Sequence, residues 1–164
     1  MNIVLSGMMG SGKTTVAAAL ASLGYPTVDI DGVIVERYGP INAIFSNFGE
    51  DRFREIETEV TKEIASNCDG TVISLGGGCV LRTENVCALK RNGKIFYLRA
   101  RAETVINRLR GDSSRPLLQG DLEQKVHSIL TARAKIYEQT ADIIVDTDGL
   151  TPQEIAIKIK ERTV

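Results

Sequence analysis

The sequence predicts a three-layer α/β fold, in which a five-stranded parallel sheet lies between two layers of helices. Two observations carry this prediction. Short apolar runs alternate with helix-length segments along the whole chain. Most of these runs are apolar at consecutive positions, which is typical of strands covered on both faces. Because strand, crossover helix and strand repeat in this order, we expect a doubly wound parallel sheet.

The predicted elements follow from this alternation. The five strands are residues 2–6, 27–29, 71–75, 94–98 and 142–146. The helix-length segments are residues 13–23, 50–66, 82–91, 102–109, 122–140 and 152–162. The last helix has clear start signals, because Thr151 is a good N-cap and Pro152 suits the first helical position.

Length and composition favour one domain, residues 1–164, with its own core. The 20 Lys and Arg residues nearly balance the 21 Asp and Glu residues, so no net charge attracts nucleic acid or a membrane surface. No apolar run reaches the ~20 residues of a membrane span, and no signal peptide is recognisable. We therefore expect a cytoplasmic monomer without nucleic-acid or membrane partners. The three cysteines have no metal-binding spacing and are expected to be reduced thiols.

The strongest motif is GMMGSGKT, residues 7–14, which matches the phosphate-binding loop pattern G-x-x-x-x-G-K-[ST]. It lies between a predicted strand and a predicted helix, as the mechanism requires. Its backbone N–H groups and the helix N-terminus favour a polyphosphate. We expect Lys13 to bridge the β- and γ-phosphates of ATP and the Thr14 hydroxyl to reach Mg²⁺. The predicted ATP-contacting residues here are Gly10, Ser11, Gly12, Lys13, Thr14 and Thr15.

Two acids, Asp29 and Asp31, follow the second strand. If the chain is still extended there, residues two apart point to the same side. Both carboxylates would then face the phosphate loop, because ligands bind at the carboxyl ends of parallel strands. Asp29 could hold a magnesium-bound water and Asp31 an acceptor hydroxyl. The alternative is that one acid caps the next helix and the other is solvated.

Charged residues recur at helical spacing in GEDRFREIETEV, residues 49–60. Arg54 can pair with Glu50 four residues before it and with Glu57 three residues after it. These pairs are either ordinary surface contacts or a device that orients the Arg54 guanidinium to bind a carboxylate through two hydrogen bonds. Spacing alone leaves both open.

The third predicted strand runs directly into three glycines, Gly76, Gly77 and Gly78. Consecutive glycines remove side chains and make the backbone costly to order. They indicate either a flexible loop or a backbone left bare so that a ligand can lie against it.

Together, the phosphate loop and the segments DID, FREIE, SLGGG, RPLL and RAKIY, in this order, resemble the shikimate kinase family. Members of that family transfer the γ-phosphate of MgATP to the 3-hydroxyl of shikimate, on the way to chorismate and the aromatic amino acids. The resemblance implies a P-loop NTPase fold, with substrate-binding helices at about residues 31–61 and a mobile lid at about 110–121. In this chain Val35 and Lys135 depart from the usual family pattern.

The resemblance also implies roles for the residues that match the family's motifs. Asp29 would position Mg²⁺ through water, while Asp31 would bind substrate hydroxyls and accept the proton. Arg54, steadied by Glu57, and Arg133 would hold the shikimate carboxylate. The three glycines would line the shikimate site, where a Cβ would occupy substrate volume.

On the nucleotide side, the resemblance implies that Arg115 reaches the phosphates when the lid closes. Arg108 would stack on adenine, with Pro152 on its other face. Rival interpretations are a small phosphate-loop kinase for gluconate or a nucleoside monophosphate, and a non-catalytic ATP-binding module. The pairing of FREIE with three glycines argues against the first, and the retained Asp31, Arg54 and Arg133 argue against the second.

Overall fold

The structure is a computed structural model that describes residues 1–111 and 121–163. In these ranges the strands are β1 (Asn2–Ser6), β2 (Thr27–Asp29), β3 (Val72–Ser74), β4 (Gly93–Arg99) and β5 (Ile143–Asp146). The α-helices are α1 (Lys13–Ser22), α2 (Ile30–Tyr38), α3 (Ile41–Asn67), α4 (Thr83–Lys90), α5 (Ala102–Arg110), α6 (Leu122–Thr140) and α7 (Pro152–Glu161). A 3₁₀ turn covers Cys79–Leu81.

The five strands form one sheet in the order β2-β3-β1-β4-β5, and every neighbouring pair is parallel. The predicted parallel α/β fold is therefore confirmed. The central strands β1 and β3 are buried along their whole length, whereas the edge strands β2 and β5 are partly exposed. All five carboxyl ends lie at the same edge of the sheet, which is where a ligand site is expected.

Side chains of β1 alternate between two apolar layers, as the period of a strand requires. Ile3 and Leu5 pack with residues of α1 and α7 on one face. Val4 packs on the other face with residues of α2 to α6. The sheet is thus covered on both sides, which explains the consecutive apolar positions in its central strands. Within the described ranges, no helix is long and apolar enough to cross a membrane.

The structure differs from the sequence-based prediction between β2 and the middle of α3. Helix α2 begins at Ile30, so the condition that the chain is still extended at Asp31 is not met. The reason is a cap, since the Asp29 side chain accepts a hydrogen bond from the Gly32 N–H at 2.9 Å and starts the helix. Helix α3 also starts earlier than predicted, at Ile41, and its axis breaks at Gly49, which has φ 82° and ψ 170°.

Candidate active site

The phosphate loop connects β1 to α1 through a turn that needs glycine. Gly7 has φ 144°, and a Cβ on it would lie 2.8 Å from the Ser11 Oγ and 2.9 Å from the Leu98 carbonyl oxygen. Ser11 is only 2% exposed, and its N–H donates to the Met8 carbonyl oxygen at 3.1 Å. Its contact with ATP stays a prediction, because Ser11 does not line the cleft over the loop.

Lys13 opens helix α1 and folds back over the loop. Its Nζ donates hydrogen bonds to the carbonyl oxygens of Gly7 at 2.7 Å and Met8 at 2.9 Å. Gly12, with φ 96°, is the N-cap of the helix. The ammonium group and the N-terminal end of the helix are therefore held together at the mouth of the loop, where both favour an anion.

A cleft of about 700 Å³ lies over the phosphate loop at the carboxyl edge of the sheet. It brings together residues that are distant in the sequence but were predicted to share a site. Those that line it are Gly10, Gly12, Lys13, Thr14, Thr15, Asp29, Asp31, Gly76, Gly77, Arg108 and Pro152. Arg115 and most of the expected lid lie outside the described residues.

Arg108 and Pro152 also line the cleft. Arg108, on α5, donates from Nη1 to the Gly10 carbonyl oxygen at 3.0 Å, which holds its guanidinium against the phosphate loop. Pro152 is the first residue of α7. The two predicted adenine neighbours thus reach one cleft from different helices.

Asp29 and Asp31 both line the cleft, although not for the predicted reason. Asp29 ends β2 and caps α2 through one carboxylate oxygen. Asp31 lies in the first turn of α2, half-buried, where a Cβ on Gly76 would be 2.7 Å from its Oδ1. One acid is therefore the helix cap of the alternative interpretation, but the other is half-buried against the strand end and not fully solvated.

A second cavity, of about 350 Å³, adjoins the cleft and shares Met9, Asp31, Gly76 and Gly77 with it. We call it the acceptor pocket. Its other lining residues are Ile41, Phe45, Glu50, Phe53, Arg54, Glu57, Gly78, Ile129 and Arg133. One side is charged and the other is apolar and partly aromatic, since Phe45 and Phe53 have ring centroids 4.8 Å apart.

Arg54 and Glu57 form a buried ion pair in this pocket, so they are not an ordinary surface contact. Their Nη1 and Oε1 atoms are 2.8 Å apart, and the side chains are 14% and 1% exposed. Glu50, at 3.5 Å and 63% exposed, is a looser second partner of Arg54. The second Glu57 oxygen, Oε2, is buried and has no hydrogen-bond partner among the described residues.

Burial raises the pKa of Glu57 above its usual value, although the Arg54 guanidinium opposes this and Asp31 adds a smaller rise. Arg54 also lies 5.2 Å from the centre of the Phe53 ring. The guanidinium is therefore positioned by a carboxylate and a ring.

Gly76 and Gly78 let these side chains approach the end of β3. A Cβ on Gly78 would overlap the Arg54 guanidinium, and one on Gly76 would press on Asp31 and, at 3.1 Å, on the Glu57 Oε2. The expectation that a Cβ here would occupy substrate volume therefore needs refinement. It would first displace the side chains that line the pocket.

Tyr137 is the last residue of the RAKIY segment, and the sequence did not indicate its role. Its hydroxyl donates to the Gly77 carbonyl oxygen at 2.6 Å, and its ring stacks on Tyr97 with centroids 5.1 Å apart. Burial raises the pKa of Tyr137, although nearby Arg133 opposes this rise. The phenol thus fixes the middle glycine from α6, the helix that also supplies Arg133.

Known proteins that resemble this chain include shikimate kinases. The family model described as shikimate kinase matches residues 9–163. A curated shikimate kinase of Thermodesulfovibrio yellowstonii is 48% identical over 161 residues, which is 96% of this chain and 92% of that protein. The solved shikimate kinase of Acinetobacter baumannii in complex with shikimate has a TM-score of 0.91 and 36% identity, over 99% of this chain and 92% of that chain. The solved shikimate kinase of Aquifex aeolicus has a TM-score of 0.84 and 34% identity, over 99% and 96% of the two chains.

Proposed function

Since this chain belongs to the shikimate kinase family, we propose that it transfers the γ-phosphate of ATP to the 3-hydroxyl of shikimate, giving shikimate 3-phosphate and ADP. One observation carries the proposal. The cleft over the phosphate loop and the acceptor pocket meet at Asp31, Gly76 and Gly77. A donor in the first and an acceptor in the second would have their reacting atoms side by side. Positioning of this kind supplies much of the rate in phosphoryl transfer.

On the donor side, the loop N–H groups and Lys13 would hold the phosphates. The oxygen donors present fit Mg²⁺, because the exposed Thr14 hydroxyl and the Asp29 carboxylate both line the cleft. Bound there, the ion would neutralise charge on the transferred phosphoryl group. Asp29 already accepts one hydrogen bond as a helix cap, which favours contact through water. We propose that Arg115 adds charge from the lid, and that Arg108 and Pro152 enclose the adenine.

On the acceptor side, Arg54 and Arg133 would bind the substrate carboxylate, with Glu57 keeping the Arg54 guanidinium in one orientation. Asp31 would align the attacking hydroxyl and take its proton. The apolar wall formed by Ile41, Phe45 and Phe53 would cover the ring. A buried arginine beside a bare strand end suits a carboxylic acid better than a nucleotide base.

We propose that the chain works as a monomer in the cytoplasm, where ATP is available. It would supply shikimate 3-phosphate for chorismate and aromatic amino acid biosynthesis.

The test is a coupled assay of ADP release with MgATP and shikimate, gluconate or a nucleoside monophosphate as acceptor. We expect turnover with shikimate, and a loss of about 10²- to 10⁴-fold in kcat for Asp31→Asn, because the proton acceptor is removed. ADP affinity should change little in this variant. Asp51→Asn, which alters an exposed acid of α3 outside both cavities, is the matched control. Preference for another acceptor, or wild-type turnover by Asp31→Asn, would contradict the proposal.

A further inference from the structure

We propose that Asp148 is a positioning residue for the adenosine half of the nucleotide cleft. It lies in the connection between β5 and α7 and lines a different cavity from the cleft. Its proposed action is to hold the start of α5 against this connection, and so to set the distance between Arg108 and Pro152. The inference rests on the proposed function, because it concerns the ATP site.

Asp148 supplies the N-terminus of α5 with an acceptor that the helix itself lacks. The N-cap residue of α5 is Arg101, whose side chain makes no capping hydrogen bond. The Arg101 backbone N–H instead donates to Asp148 Oδ2 at 3.0 Å, and the Thr104 hydroxyl donates to Asp148 Oδ1 at 2.5 Å. A carboxylate at this position satisfies free N–H groups and complements the positive end of the helix dipole.

The connection that carries Asp148 is itself fastened on both sides. Thr147 is fully buried, and both its N–H and its hydroxyl donate to the Arg99 carbonyl oxygen at the end of β4. Thr151 forms a capping box with Glu154 at the start of α7. Asp148, with its side chain 26% exposed, adds the link from this rigid connection to α5.

The walls of the cleft depend on these two helices. Arg108 lies two turns along α5 from the end that Asp148 holds, and Pro152 begins α7 four residues after Asp148. The phosphate loop, by contrast, is held at its two ends by β1 and α1, and α5 reaches it through the hydrogen bond from Arg108 to the Gly10 carbonyl oxygen. Loss of Asp148 should therefore loosen the adenosine end of the cleft much more than the phosphate end.

The affinities of the two ends of the cleft can be measured separately by titration calorimetry. MgADP occupies both ends, whereas inorganic tripolyphosphate probes the phosphate end alone. For Asp148→Ala we expect the Kd for ADP to rise about fivefold or more, because a prearranged site becomes a loose one. The Kd for tripolyphosphate and the KM for shikimate should stay near their wild-type values. A general structural defect would weaken all three.

Asp142→Ala is the matched control. Asp142 also accepts a backbone N–H, from Ile95 at 2.8 Å, and a side-chain donor, Lys90, but it lies at the opposite end of β5 from the cleft. This variant should keep the wild-type Kd for ADP. If Asp148→Ala does not fold, Thr104→Val removes one of the two donors and should raise the Kd for ADP by a smaller factor.

An unchanged Kd for ADP in the folded Asp148 variant, or in Thr104→Val where that replaces it, would overturn the inference. So would equal losses for ADP and tripolyphosphate. Failure of the proposed function looks different, because the wild-type protein would then show no turnover with shikimate, whatever the Asp148 variant does to the Kd for ADP.

Discussion

At the scale of single residues, Glu57 shows what spacing can and cannot predict. Its three-residue distance from Arg54 indicated an ion pair on one helix face. Spacing did not indicate that the carboxylate is 1% exposed or that its second oxygen faces Asp31 and Gly76. Burial depends on which elements pack over the helix, and this is settled by contacts between residues far apart in the chain. The same holds for Asp148, whose partners in α5 lie more than 40 positions away.

The burial of Glu57 predicts a pH dependence of stability. Its pKa in the folded protein is raised above the ordinary value of 4.5, so the folded state binds this proton more tightly than the unfolded state. The contribution of Glu57 to stability therefore decreases as pH rises from about 4.5 through the folded pKa. Because Gln does not titrate, the free energy of unfolding of Glu57→Gln, relative to wild type, should increase over that window. Urea unfolding at a series of pH values measures this difference.

Glu63→Gln is the control, because its free energy of unfolding relative to wild type should change with pH in the opposite direction. A hydrogen bond from Arg37 lowers the pKa of Glu63, so this exposed acid stabilises the fold above its unfolded pKa and loses that effect as pH falls through the folded pKa. The relative stability of Glu63→Gln should decrease with rising pH below about 4.5 and be flat above it. The effect should be small, because exposed pairs are screened. Parallel curves for the two variants would contradict the assignment of Glu57.

At the scale of elements, helices with clear boundaries were predicted well and the region around α2 was not. Residues 122–140 were predicted as a helix and form α6 with the same bounds. Gly32, Gly39 and Pro40 interrupt the helical pattern between β2 and α3, so the pattern did not predict α2 or the first part of α3. Only the family resemblance implied helices there, at about residues 31–61. This first part, residues 41–48, carries Ile41 and Phe45 into the acceptor pocket. The apolar wall of the site was therefore the part that the sequence pattern did not reveal.

The break in the axis of α3 at Gly49 should affect binding of the acceptor and not binding of the nucleotide. Gly49 has φ 82°, so Gly49→Ala strains the backbone by about 1 kcal/mol. Relief of that strain would turn residues 41–48 and move Phe45 within the pocket. We expect the KM for shikimate to rise about threefold to tenfold, with the KM for ATP unchanged. Steady-state kinetics with each substrate varied in turn measures both.

Gly24→Ala provides a control with the same strain at a site away from both cavities. Gly24 has φ 95°, and like Gly49 it has no atom within 4 Å of an added Cβ. The two variants should lose similar stability, but Gly24→Ala should keep both KM values. A rise in KM for shikimate in both variants would mean that strain alone is responsible, whatever its position.

At the scale of the whole molecule, the fold class could be predicted because the phosphate loop and the consecutive apolar strands are local signals. The meeting of the two cavities could be anticipated only from the rule that ligands lie at the carboxyl edge of a parallel sheet. The cleft and the acceptor pocket are separate because of the strand order. β1 leads into the phosphate loop, and the neighbouring β3 leads into the three glycines. The proposed nucleotide and shikimate sites therefore lie at two adjacent strand ends.

If shikimate and nucleotide bind in separate sites, a mutation in one site should abolish the stabilisation by one ligand and not by the other. A ligand at about 100 times its Kd stabilises the folded state by about 2.7 kcal/mol, which is a rise of roughly 5 to 10 °C in Tm for a chain of this size. Thermal unfolding of wild type should show this rise with shikimate and with MgADP. Arg54→Ala should lose the shift with shikimate and keep the shift with ADP, whereas Lys13→Met should do the reverse.

Each shift is taken relative to the ligand-free variant, because removing Arg54 leaves Glu57 buried without its partner and lowers the starting Tm. Arg52→Ala is the matched control, since Arg52 lies on the same helix but is 45% exposed and pairs with Glu55 at the surface. It should keep both shifts. If Arg54→Ala or Lys13→Met abolished both shifts together, the two cavities would act as one site, and the arrangement of donor and acceptor on adjacent strand ends would be wrong.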